Sequence, residues 1–229
     1  MDEMIDTPSP NFDARTLPIS MVVLHYTGMI DGASAINRLA DPEAKVSAHY
    51  VVAEDGQIIR MVDEANRAWH AGKSWWRGIS DVNSASVGIE IVNPGHEFGY
   101  RPFPHVQIES VIRLVAGVVS RYGITRGNVV GHSDVAPARK DDPGELFPWH
   151  QLAKLRLALP RPTKNLMDPH WSDAGFLLAL ERFGYDVTDG PAAVRAFQRR
   201  FRPELIDGII DGECRAILLA LLLPKPMGD

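Results

Sequence analysis

The sequence has one cysteine, Cys214, in 229 residues, so it cannot form an internal disulfide framework, and its redox compartment stays open. We interpret Cys214 as a small apolar helix residue. No apolar run approaches the roughly 20 residues that span a bilayer, so no transmembrane segment is expected. Residues 1–10 are acidic and contain proline, unlike a signal peptide. They predict a cytoplasmic protein, or a periplasmic or envelope protein if an export segment has been trimmed.

The net charge is also small. The 24 Lys and Arg against 29 Asp and Glu give a net charge of -5, and no basic block is present, so a nucleic-acid partner is not expected. A hydrophobic content of 45% with 23% charged residues is ordinary for a soluble globular protein. The length exceeds that of a typical single domain, which makes two domains plausible.

The most informative motif is the segment from Gly131 to Gly144, which holds an imidazole, an amine and a carboxylate in one short loop. His132 ends an apolar run, and Lys140 and Asp142 follow it closely. A catalytic zinc site needs three protein ligands of the histidine and carboxylate kind and one open position. This loop supplies two candidate ligands.

His25 is the candidate for the third ligand because it closes the apolar run Ile19 to Leu24, and strand ends hold side chains rigidly. A lone histidine of unknown context is more often a core or surface residue. Two histidines at strand ends together with Asp142 favour a site for one zinc ion. We therefore predict His25, His132 and Asp142 as the metal ligands.

Glu90 lies in the apolar stretch Ser86 to Asn93, where strand alternation puts it on the same face as Gly88 and Val92. A carboxylate there is paired, exposed on an open face, or functional. Beside a metal loop, a general base is the better interpretation than an exposed strand residue. Lys140 is either an ordinary solvated lysine or a group that stabilises a developing oxyanion.

These residues carry a resemblance to a known family. The chain resembles the zinc-dependent N-acetylmuramoyl-L-alanine amidases of the type-2 amidase family, in particular their bacterial AmpD and AmiD branch. The motifs are His-Tyr-Thr-Gly from His25, Ser-Ala-His-Tyr from Ser47, Trp-His-Ala-Gly from Trp69, Ser-Val-Gly-Ile-Glu from Ser86, and the segment from Gly131 to Trp149. The resemblance implies the same three zinc ligands, with Glu90 as catalytic carboxylate and Lys140 as transition-state stabiliser.

Further residues are predicted to lie in or beside the substrate cleft. His49 is expected to support the zinc site or the groove, and His70 to line the cleft beside Trp69. Trp75 and Trp76 fit a sugar or peptide platform and a place at the edge of the core equally well. The predicted substrate-binding residues are Tyr26, His49, Trp69, His70, Ala71 and Asn93. The remaining histidines are expected at the surface: His96, His105, His150 and His170.

Hydrophobic periodicity predicts an α/β fold with a mixed central sheet flanked by helices, which is also the fold that the resemblance implies. Asp55-Gly56 indicates a hairpin turn. The predicted strands are Ile19 to Leu24, Val46 to Val52, Gln57 to Val62, Val87 to Val92 and Asn128 to Val130. The predicted helices are Ala33 to Leu39 and Val106 to Tyr122, the latter ending at Gly123.

The proline-rich stretch Leu159 to Lys164 indicates a linker. It divides a zinc amidase domain, residues 1–163, from a helical domain, residues 164–229. Three helices are predicted beyond it: one capped by Ser172 and ending at Gly184, one from Pro191 to Phe201, and one from Gly212 to Leu223. With the Asp-Gly-x-x-Asp turn from Asp207 to Asp211 before the last helix, they resemble the small three-helix peptidoglycan-binding module. The alternative is that they only cover an apolar face of the catalytic domain.

The resemblance implies that metal-activated water cleaves the amide between the lactyl group of N-acetylmuramic acid and L-alanine. A non-catalytic peptidoglycan-binding protein and a different zinc peptidase are the alternatives. The expected partner is peptidoglycan or a soluble muropeptide, with the choice between them open, and the expected state is a monomer.

Overall fold

The computed structural model describes residues 4–164 and 166–223. In these ranges a mixed six-stranded sheet forms, with strand order β1-β5-β4-β7-β3-β8, and β2 pairs with β6 in a separate two-stranded sheet. The strands are β1 Ile5–Asp6, β2 Phe12–Ala14, β3 Met21–Tyr26, β4 Tyr50–Val52, β5 Ile58–Arg60, β6 Asn66–Ala68, β7 Ser86–Ile91 and β8 Val129–Gly131. No helix in the described ranges is long and apolar enough to cross a membrane.

Helices flank the sheet, which confirms the predicted fold class. The longer ones are α1 Gly32–Ala40, α4 His105–Tyr122, α7 Asp173–Phe183, α8 Gly190–Phe201 and α9 Gly212–Leu222. The shorter ones are α2 Val82–Ala85, α3 Gly95–Phe98, α5 His132–Val135 and α6 Trp149–Lys154, with 3₁₀ turns at Pro42–Ala44 and Arg126–Asn128. The predicted end of α4 is confirmed, since Gly123 adopts φ 63° as its C-cap.

The central strands β3 and β7 are buried on both faces, as expected for parallel strands covered by helices. On one face, Val22 and Leu24 join Ile89 and Ile91 in a cluster with the apolar side of α4. The parallel register pairs His25 with Glu90. Neighbouring residues in register share a sheet face, so these two side chains emerge side by side.

Strand β4 is shorter than the predicted Val46 to Val52 because a bulge precedes it. The carbonyl oxygen of His49 accepts hydrogen bonds from both Met61 N, at 2.9 Å, and Val62 N, at 3.4 Å. Two residues then oppose one, which interrupts the ladder. The predicted hairpin turn is confirmed, with β4 and β5 antiparallel around Gly56 at φ 88°.

The C-terminal helices pack on the second face of the sheet. Helix α7 is capped as predicted, with Ser172 Oγ accepting from Gly175 N at 3.2 Å. One buried apolar cluster joins the sheet residues Met21, Val23 and Val130, the loop residue Trp76, and residues of all three helices and their connections, among them Phe176, Phe183, Tyr185, Phe197, Cys214 and Ile217. Cys214 is buried in α9, which confirms its interpretation.

This shared core bears on the two interpretations of the C-terminal segment. Trp76 is 2% exposed and packs edge-on against Phe183 and Tyr185, so its platform role is excluded and the core role holds. The helices do cover an apolar face of the sheet. The division at residues 163 and 164 stays a prediction, and the segment's residue 165 and residues 224–229 lie outside the described ranges.

Candidate active site

The three predicted metal ligands meet at one point. His25 Nδ1 lies 2.9 Å from His132 Nδ1, and both nitrogens lie 3.1 Å from Asp142 Oδ2. All three side chains are buried, with exposures of 1%, 4% and 5%. They come from the end of β3, the start of α5 and the loop beyond it. Two imidazole nitrogens and a carboxylate oxygen in one small triangle form a donor set for a metal ion.

The free nitrogen of each histidine is bound by groups behind the triangle. His132 Nε2 lies 3.1 Å from the carbonyl oxygen of Ala71, which only accepts, so Nε2 carries the proton. His132 Nδ1 therefore presents a lone pair to the triangle. Ala71 is fully buried, and its predicted contact with substrate is replaced by this backbone role.

A longer chain of hydrogen bonds fixes His25. The Ser86 hydroxyl donates to Val82 O at 2.5 Å, so its oxygen accepts from His70 Nε2 at 3.2 Å. His70 Nδ1 is then an acceptor, and His25 Nε2 donates a hydrogen bond to it at 3.0 Å. The lone pair of His25 Nδ1 consequently points into the triangle, since a neutral imidazole has one donor and one acceptor.

Gly88 of strand β7 leaves room for the His70 ring in this series of hydrogen bonds. A Cβ atom there would lie 2.4 Å from Cγ of His70, a distance that only a shift of the ring could relieve. The ring of His70 therefore packs directly on the backbone of the strand that carries Ser86 and Glu90.

Burial and the neighbouring groups set the charge of the triangle. Burial and, second, the adjacent His132 lower the pKa of His25 to about 4. Burial opposes ionisation of Asp142, but the two histidines outweigh it and hold the pKa of that carboxyl below its usual range. A neutral His25 beside an ionised Asp142 is in the protonation state that a metal ligand needs.

Glu90 lies beside this triangle with an unsatisfied oxygen. Its Oε2 is buried and has no hydrogen-bond partner within the described residues. Burial raises the pKa of Glu90 well above its usual range, and the nearby Asp142 carboxylate adds to the shift, while Lys140 opposes it. A buried carboxylate oxygen without a partner is costly, so its presence next to a metal-type donor set indicates a functional role.

The triangle and Glu90 open into a cleft of about 380 Å³. Lys140 is exposed on its wall, close to Asp142, and Tyr26, Trp69 and His70 also line it. The predicted catalytic groups are thus brought together in one cavity. Their roles stay predictions at this point.

Two predicted substrate contacts lie behind the cleft wall. His49 is fully buried and accepts from Gly88 N at 2.9 Å, so it supports strand β7. Asn93 is 1% exposed, donates to Arg101 O at 2.7 Å and accepts from Gly95 N at 3.1 Å. We assign both a supporting role in place of the predicted contact with substrate.

Sequence reasoning missed three groups of the cleft. Arg38 of α1 and Arg139 of the metal loop both line it, and Arg139 also donates to Ala71 O at 3.0 Å. His96 is exposed as predicted but joins the rim, where its Nδ1 lies 3.0 Å from Tyr26 Oη. Only Arg139 had a local signal, since it adjoins Lys140. The other three histidines assigned to the surface, His105, His150 and His170, are exposed as predicted.

A mixed sheet that presents two histidines and two carboxylates in one cleft has a site of the kind that metal-dependent hydrolases use. Residues 15–145 match the N-acetylmuramoyl-L-alanine amidase family, Amidase_2. The chain belongs to this family, and it is an amide hydrolase.

Named relatives extend the match over most of the chain. The N-acetylmuramoyl-L-alanine amidase AmiD of Escherichia coli K12 is 38% identical over 230 residues, 89% of this chain and 82% of that protein. A solved structure of AmiD from E. coli, in complex with the substrate anhydro-N-acetylmuramic acid-L-Ala-D-gamma-Glu-L-Lys, superposes with a TM-score of 0.81 at 36% identity, covering 92% of this chain and 91% of that one.

A second relative covers less of the chain. The 1,6-anhydro-N-acetylmuramyl-L-alanine amidase AmpD of Haemophilus influenzae is 32% identical over 163 residues, 62% of this chain and 86% of that protein. Amidases related to this chain thus match it either over nearly its full length or over little more than the amidase region.

Proposed function

We propose that the chain is a zinc enzyme that hydrolyses the amide bond between the lactyl group of N-acetylmuramic acid and L-alanine of the stem peptide. The observation that supports this most is the His25, His132 and Asp142 triangle, with the buried, unpartnered Oε2 of Glu90 beside it. Family membership and the named activity of AmiD and AmpD support the bond that is cleaved.

The donor set fits zinc. Bonds of about 2.0–2.2 Å in a tetrahedral site put ligand atoms about 3.3–3.6 Å apart. The three donors here are 2.9–3.1 Å apart, so they need to separate by only a few tenths of an ångström. Three ligands of this kind with open space on the cleft side are typical of a catalytic site and not of a structural one. When bound, zinc would polarise the scissile carbonyl and lower the pKa of a water molecule.

Glu90 performs the proton transfers in this proposal. It takes a proton from the attacking water and returns it to the leaving amine of L-alanine. Its raised pKa suits the second step, because a carboxyl with a raised pKa keeps the proton it has taken until the amine leaves. Lys140, an exposed cation on the cleft wall, stabilises the negative charge that develops on the carbonyl oxygen.

The alternatives have less support. A binding-only protein has no need for a complete ligand triangle or for an unpaired carboxylate beside it. A zinc peptidase would use the same groups, but family membership favours the amidase. Location in the cytoplasm and the monomeric state stay predictions.

For the substrate we propose soluble anhydromuropeptides, because the AmiD complex holds one and the printed name of AmpD specifies the anhydro sugar. Purified sacculi and anhydromuropeptides would be digested side by side, with mass analysis of the products. Release of free stem peptide from the soluble substrate is expected. Cleavage of intact sacculi alone would contradict this choice of substrate.

Removing the metal should abolish activity. A chelator is expected to stop release of stem peptide, and a stoichiometric amount of zinc, one ion per chain, to restore it, because the attacking water depends on the ion. Metal content would be measured by elemental analysis alongside the rate. Full activity of a demonstrably metal-free sample would end the zinc proposal.

Ser86→Ala should weaken zinc binding without touching a ligand. The variant removes the acceptor of His70 Nε2, so His70 can reprotonate on Nδ1 and no longer accepts from His25. Groups that support a ligand in this way contribute about 10–100-fold to metal affinity. We expect a loss near the lower end, measured by competition with a chromogenic chelator.

Ser84→Ala is the matched control, because Ser84 is equally buried but bonds to Thr16 N and Leu17 N, away from the triangle. An unchanged zinc affinity in Ser86→Ala, or an equal loss in both variants, would contradict the role of the hydrogen-bond chain.

A further inference from the structure

The loop that carries His132, Lys140 and Asp142 is held by the C-terminal helices at two separate points. At the first, Tyr185 Oη donates to Asp134 Oδ1 at 2.5 Å, and both residues are buried, with Tyr185 fully buried and Asp134 2% exposed. The other oxygen of Asp134 accepts from Gly131 N at 2.8 Å. Asp134 therefore ties the start of α5, where His132 lies, to the connection between α7 and α8.

At the second point, helix α8 binds the far end of the loop. Arg199 Nη2 lies 2.6 Å from Asp141 Oδ1, and its Nε lies 3.8 Å from Glu145 Oε2. Asp141 stands between Lys140 and the ligand Asp142 in the sequence. Glu145 in turn contacts His96 Nε2 at 3.2 Å, on the cleft rim. Arg199 thus connects α8 to the metal loop and, through Glu145, to the cleft rim.

The groups around the hydrogen bond between Tyr185 and Asp134 hold it firmly in place. Burial raises the pKa of Tyr185 well above its usual range, and the Asp134 carboxylate adds to the shift, so the phenol stays a donor. Arg200 packs over the ring of Trp149 and lowers the pKa of Asp134 against the effect of burial. A buried carboxylate that loses its donor has no solvent to replace it.

The polar groups of the Asp-Gly-x-x-Asp turn, by contrast, are used within the C-terminal segment. The buried Arg202 contacts Asp207 at 3.0 Å and also binds Asp211. Gln198 accepts from Gly208 N at 2.7 Å and donates to Asp207 Oδ1 at 2.9 Å. These contacts stabilise the turn itself, so the motif that suggested a peptidoglycan-binding module has a structural role here.

We propose that the C-terminal helices are a positioning element of the active site, in which Tyr185 and Arg199 hold the metal loop in its ligand-presenting conformation. The proposal rests on the zinc site proposed above. It assigns the segment a part in catalysis through the loop, without contact with the reacting atoms, whether or not the segment also binds peptidoglycan. The helices pre-organise the metal loop. A loop that is already fixed in the metal-free protein loses less conformational freedom when zinc binds.

The test uses three variants of the full chain: Tyr185→Phe, Arg199→Gln and, as the matched control, Arg195→Gln, an exposed arginine on the same helix. Zinc affinity would be measured by chelator competition, and hydrogen exchange of residues 132–142 would be followed in the metal-free protein. We expect the first two variants to weaken zinc binding by up to about tenfold, the lower edge of the range for direct supporting groups. Exchange in the loop should accelerate, and the control should match the parent.

Hydrogen exchange of the metal-free protein separates this proposal from the zinc proposal. If the parent chain binds no zinc, the function is wrong, yet faster exchange in the loop would still support the positioning role. Unchanged loop exchange and unchanged zinc affinity in Arg199→Gln would overturn the positioning role. Arg199→Gln carries this decision because its partners Asp141 and Glu145 are partly exposed, so the variant is expected to fold even if Tyr185→Phe does not.

Discussion

Glu90→Gln should lower the turnover number by about 10²–10⁴-fold, the range that general acid and base catalysis contributes. The amide keeps the size of the carboxylate but cannot take a proton from water. It also removes a carboxyl group whose ionised form is disfavoured by burial and by Asp142, so the fold should be as stable as that of the parent or more so. Zinc should stay bound, since Glu90 is outside the ligand triangle.

Turnover would be measured on a soluble anhydromuropeptide at saturating zinc, together with metal content and melting temperature. Glu97→Gln provides the control, because Glu97 is an exposed carboxylate lining the same cleft. It should retain nearly full turnover. A Glu90→Gln variant that kept more than about a tenth of the parent rate would remove Glu90 as the general base.

The meeting of His25, His132 and Asp142 could be predicted from the sequence because each of these residues ends an apolar strand or lies in the loop after one. Residue type and position at a strand end are both local signals, and His25 and His132 carry both. Glu90 could be identified for a related reason, since a charged residue inside an apolar strand violates the local pattern. The fold class followed from periodicity and from the resemblance together.

The geometry that joins these groups could not be predicted. The pairing of His25 with Glu90 depends on the register between strands more than 60 residues apart in the sequence, and no local pattern sets it. His70 could be placed near the cleft by its motif. Its bond to His25, however, requires the ring to pack over Gly88, which only the assembled sheet determines.

The role of the C-terminal segment is the clearest case of this limit. Its helices, the Ser172 cap and the helix boundaries follow from spacing and turn residues, and the structure reproduces them within a residue or so. The contact between Arg199 and Asp141 has no counterpart in either local sequence, because a surface-type arginine and aspartate look alike wherever they fold. Only the packing of α8 against the metal loop gives that pair a function.

Asp142→Ala should lower zinc affinity by more than about 100-fold. Even groups that only hydrogen-bond to a metal ligand contribute about 10–100-fold to metal affinity. The variant removes the only carboxylate of the triangle and leaves His25 and His132 facing each other across 2.9 Å. Two neutral imidazoles cannot hold the ion as three ligands do, so activity at stoichiometric zinc should be lost. A large excess of zinc should restore part of it.

Lys140→Ala is the control for Asp142→Ala, since it changes the same loop two residues away. If Lys140 stabilises the oxyanion, the variant should lower turnover by about 10²–10³-fold, as the loss of an oxyanion-stabilising group does, and should bind zinc as the parent does. Zinc content and turnover would be measured for both variants at equal protein concentration. Loss of zinc in Lys140→Ala would show that the lysine serves the metal site and not the transition state. Normal zinc binding by Asp142→Ala would remove the carboxylate from the ligand set, and the metal would then need a third ligand from elsewhere in the cleft.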